Sequence, residues 1–116
     1  MSAVRLRSDF WVSAYIRRCQ GEGAVATLAR RGAAEAGAIF VRLDTLDGAV
    51  RLFGPAPQAL MDGEDYGERQ FTEIPLPEPT AAAAWERLQK EIRFDPDLWI
   101  VDVEDRAGRC FLPLRQ

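Results

Sequence analysis

The run Arg93-Phe94-Asp95-Pro96-Asp97-Leu98-Trp99 constrains the fold of this chain more than any other stretch. Proline disfavours the α region for the residue before it, so a helix entering this run must stop at about Phe94. The upstream residues supply that helix. Ala81, Ala84, Trp85, Leu88 and Ile92 fall on one stripe, Thr80 stands where a cap is needed, and Glu86 and Lys90 make an i, i+4 pair on the solvent side. Downstream, Leu98 to Glu104 is predicted as a strand, Asp105-Arg106-Ala107-Gly108 as a turn, and Arg109 to Leu112 as the returning strand.

The first half repeats the pattern in another order. Val4 and Leu6 alternate with Arg5 and Arg7 as a short strand or extended lead-in, and Ser8 offers an N-cap with Asp9 in the first turn. Trp11, Val12, Tyr15, Ile16 and Cys19 then form one helical stripe that Gly21 or Gly23 terminates. Ala24 to Arg30 is read as a strand, although its bland pattern also fits a further helical turn. A hairpin follows, with Ile39, Val41 and Leu43 facing one way and Val50 and Leu52 as their counterparts across a connection containing Asp47-Gly48. Its other face would carry Phe40, Arg42, Arg51 and Phe53. Gly54-Pro55-Ala56-Pro57 ends the hairpin, Gln58 to Glu68 is an acidic loop, and Pro75, Pro77 and Pro79 confine a strand over residues 69–76 to an edge. Hairpin-linked strands with two clear helices predict an α+β fold over residues 1–116, a single domain whose antiparallel or mixed sheet is covered mostly on one face.

Composition bounds the function. A chain of 116 residues, 47% hydrophobic, is long enough to bury one core without disulfides or metals. Its basic residues are fourteen Arg and one Lys, Lys90, beside seventeen Ala; this is a genomic bias, so Arg frequency alone says nothing of binding. The net charge of -3 is uneven: residues 1–54 carry eight Arg against five acids, and residues 55–116 carry seven basic residues against thirteen acids. Such polarity suits self-association or a protein partner and argues against nucleic acid, which is usually met by a strongly basic face. Neither an N-terminal apolar signal nor a window long enough to span a bilayer occurs, so a cytoplasmic location is expected. Cys19, on the helical stripe, and Cys110, in the last strand, are expected as buried free thiols rather than a redox pair.

The chain contains no histidine, which removes the commonest general base and the commonest metal ligand near neutral pH. Ser-His-Asp and Cys-His catalysis are excluded, and two separated cysteines cannot build a zinc site. Phosphate-binding and dinucleotide-binding glycine motifs are absent too, and no cofactor is expected. Asp95 and Asp97 remain as a candidate acidic site for a hard divalent cation or acid-base work, against the plainer reading that Asp97 caps the turn while Asp95 accepts backbone N–H groups or pairs with Arg93. Arg17, Arg18, Arg30 and Arg31 are candidates for gripping an anion, against a solvated helix face plus a loop. Phe40, Arg42, Arg51 and Phe53 are the candidate interaction surface, one that a second helix packing there would cover instead. Trp11, Trp85 and Trp99 are each expected to anchor the core.

Arg5-Leu6-Arg7-Ser8, Trp11-Val12-Ser13-Ala14, Arg30-Arg31-Gly32, Leu52-Phe53-Gly54-Pro55-Ala56 and above all Arg93 to Trp99 together resemble a bacterial family catalogued as domain of unknown function 1491. The resemblance spans nearly the whole chain. It implies a small stand-alone bacterial protein and brings no established activity, ligand or catalytic residue. The expectation is therefore an interaction or ligand-binding module, with a homodimer foremost. Its alternative is a histidine-free enzyme using Asp95 and Asp97 with a divalent metal or with arginines on an anionic substrate.

Overall fold

The computed structural model describes residues 6–57 and 69–115. Val4 and the acidic loop Gln58 to Glu68 lie outside those residues. The elements run α1 (Ser8–Gly21), β1 (Val25–Arg30), β2 (Ile39–Asp44), β3 (Val50–Pro55), β4 (Phe71–Ile74), α2 (Ala81–Phe94) and β5 (Trp99–Glu104). The strands form one sheet in the order β1-β5-β2-β3-β4. β5 lies parallel to β2, with Val41 opposite Val101, and every other pairing is antiparallel. The class is the α+β fold with a mixed sheet that the sequence predicts.

The helices do not share a face. Val12, Tyr15 and Cys19 of α1 join a core with Ile39, Val41, Leu43, Phe53, Trp99, Val101 and Val103, whereas Leu88 of α2 packs with Phe40, Leu52, Leu98 and Ile100. The runs Trp99–Val101 and Ile39–Val41 are apolar on consecutive residues and so bury both sides of the sheet, which requires a cover on each side. α1 covers one side together with Phe111 and Leu112, and α2 covers the other.

Local chemistry explains the ends. Thr80 caps α2, its hydroxyl accepting the Ala83 N–H at 3.1 Å, and α2 ends at Phe94 as Pro96 requires. At α1 the cap position is Arg7, with no side-chain cap. The expected cap, Ser8, is buried and its hydroxyl instead donates to the Gly37 carbonyl at 2.6 Å. The first N–H groups of α1 are met by the loop after β1, Ser8 donating to Glu35 and Asp9 to Ala34.

Three further expectations change. Trp85 is 54% exposed, because only Ala84 and Leu88 of its helix are fully inside. The ion pair on α2 forms between Arg87 and Glu91 at 2.9 Å, one position along from the predicted Glu86 and Lys90. The segment after β5 does not return as a strand, since β1 and β2 already occupy both edges of β5. It crosses the α1 side instead and ends beside β4, where the Phe71 N–H donates to Pro113 at 2.9 Å and the Arg115 N–H to Phe71 at 2.7 Å. Cys110 therefore sits in a loop and is half-buried, while Cys19 is fully buried; both are free thiols.

Candidate functional site

The two strongest sequence motifs meet in space. The loop after β1 lies against the Asp95–Trp99 turn: Ala33 N–H donates to the Asp97 carbonyl at 2.8 Å, and the Trp99 indole N–H donates to Ala33 at 2.8 Å. A side chain at Gly32 or Gly37 would overlap that Asp97 carbonyl, so both glycines are required for the close approach. Arg30 donates to the Leu98 carbonyl at 2.7 Å, and the Arg31 guanidinium lies 5.3 Å from the Trp99 ring centre. Asp95 accepts the Asp97 N–H at 3.0 Å, the backbone-accepting role that the plainer reading gives it. This junction fixes the end of β1 to the start of β5 and engages the Arg30 guanidinium and the Asp95 carboxylate in backbone bonds.

The predicted arginine cluster does not assemble. Arg17 and Arg18 stand near the C-terminal end of α1, where the Ala24 N–H still bonds to the Cys19 carbonyl. β1 then carries the chain back along α1, so Arg30 and Arg31 stand at the far end of β1 from the helix terminus that carries Arg17 and Arg18. Among the described residues no group of three or more Asp, Glu or Cys is arranged to hold a metal ion.

The hairpin surface is divided by its register. Val41 pairs with Phe53 and Arg42 with Leu52, so Phe53 and Arg51 face the α1 side while Phe40 and Arg42 face the α2 side. Phe53 is fully buried and Phe40 is 6% exposed beneath α2, so the four residues form no common surface. Arg51 forms a bidentate pair with Glu73 of β4, at 2.7 and 3.0 Å. Arg42 does the same with Asp102 of β5, at 2.7 and 2.8 Å, and that hydrogen bonding raises its pKa. The pair floors a shallow depression of about 320 Å³ that Asp44, Glu104 and Ala81 border. The two nucleophile-bearing groups of the α1 core are held in their neutral forms: burial pushes both the Tyr15 hydroxyl and the Cys19 thiol up.

The feature that stands apart is the outer edge of β1. β1 bonds to β5 on one side, and no described residue pairs with the other. Edge strands normally carry prolines, charges or a cover that prevents further pairing. From Gly23 to Ala29 there is no proline and no charge, and the register irregularity falls only at the far end, between Leu28 and Arg30. Val25 is 56% exposed, and Thr27 and Ala29 are exposed beside it on the α2 side of the sheet. This edge was not singled out from sequence; the signal available was that uncharged run placed directly after a helix.

The comparisons with known proteins agree with this architecture. The description "Protein of unknown function (DUF1491)" matches residues 6–113. The chain belongs to this family. A crystal structure of a DUF1491 protein from Caulobacter crescentus is 38% identical over 96% of this chain and 98% of its own, with a TM-score of 0.78. The solution structure of protein Atu0922 from A. tumefaciens is 43% identical over 96% of this chain and 95% of its own, with a TM-score of 0.79. No curated protein matches the chain. In DUF1491 terms, the two motifs at Arg30–Gly32 and Arg93–Trp99 that marked the family are the two halves of one structural junction.

Proposed function

We propose that this DUF1491 protein is a protein-interaction module that pairs through the open edge of β1. The observation that carries this reading is the unequal finish of the sheet: one edge strand is covered and charged, and the other is a six-residue strand, uncharged until Arg30, without a described partner. Addition of an extended segment to such an edge gains main-chain hydrogen bonds along its length, while Val25, Thr27 and Ala29 supply side-chain contacts on alternate positions. No helix among the described residues is long and apolar enough to cross a membrane.

The test is photo-crosslinking in cells with a photoreactive residue at Thr27, and at Glu73 on the other edge strand for comparison. Adducts from position 27 that map to alternate residues of one extended segment are expected. Absence of adducts at 27, or equal yields at 27 and 73, would contradict the reading.

A further inference from the structure

We draw no further inference here: the strongest candidate, the shallow apolar groove that Trp11, Tyr15, Phe111 and Pro113 line between α1 and the C-terminal segment, carries nothing, because nothing in the structure shows what covers it.

Discussion

The two edges of this sheet solve the same problem in opposite ways. β4 is four residues long, is followed by Pro75 and Pro77, and is bridged by the C-terminal segment, whose Pro113 and Arg115 take both backbone groups of Phe71. Its outward Glu73 is tied to Arg51. β1 is longer, uncharged until Arg30, and left unpaired by the described residues. Each device at β4 is one that prevents a sheet from recruiting another strand, and β1 has none of them over Val25 to Leu28. The difference assigns the two edges distinct work: β4 terminates the fold, and β1 continues it into a partner.

The contrast can be broken most forcefully at Phe71. Its ring is 2% exposed and lies 5.2 Å from that of Trp11, so it anchors both the edge strand and the segment crossing it. Phe71→Ala should cost about 3–5 kcal/mol of stability. Chemical denaturation measures this, and a loss below about 1 kcal/mol would mean that the closed edge is not held by its core contact.

Acid should act on the other edge. Asp105 follows β5 directly and accepts three hydrogen bonds from Arg109, two from the guanidinium and one from the backbone, while Arg109 also donates to the Glu22 carbonyl just before β1. The guanidinium bonds, chiefly, hold the Asp105 carboxyl at about 2. A folded-state value below the unfolded one, about 3.9, means that the contribution is complete above pH 4 and is lost as pH falls through 2. Thermal melts between pH 5 and 2 should therefore show a decline that Asp105→Asn reduces. Superimposable pH profiles of the two proteins would remove Asp105 from the support of β1.

The smallest stability effect belongs to the open edge. Thr27 is exposed in the single chain, so Thr27→Lys should change monomer stability by less than about 0.5 kcal/mol, as surface substitutions usually do. A large loss in dilute solution would indicate that the β1 edge is already engaged within one chain.

What was legible in the sequence was local. The stop at Asp95-Pro96, the cap at Thr80 and the edge position of β4 each follow from backbone rules that act within a few residues, whereas the bland run Ala24 to Arg30 fits strand and helix alike and proves to be a strand over Val25–Arg30. What was not legible depends on partners distant in sequence. The alternation of β2 and β3 cannot say which residues face each other when both faces are buried, and the pairing of Asp44 with Val50 shifts Phe53 and Arg51 to the side opposite Phe40. Nor can the pattern of Arg109 to Leu112 reveal that β5, its expected partner, is already flanked by β1 and β2. The candidate site escaped for the same reason: an edge is defined by strand order, and Val25 to Leu28 is unremarkable until β1 proves to be outermost.

Residue-resolved amide hydrogen exchange of the full chain in dilute solution tests this most directly. The account predicts that the outward-facing amides of β1 exchange rapidly, while the Phe71 amide of β4, bonded to Pro113, is protected. Outward-facing β1 amides as protected as that of Phe71 would contradict it.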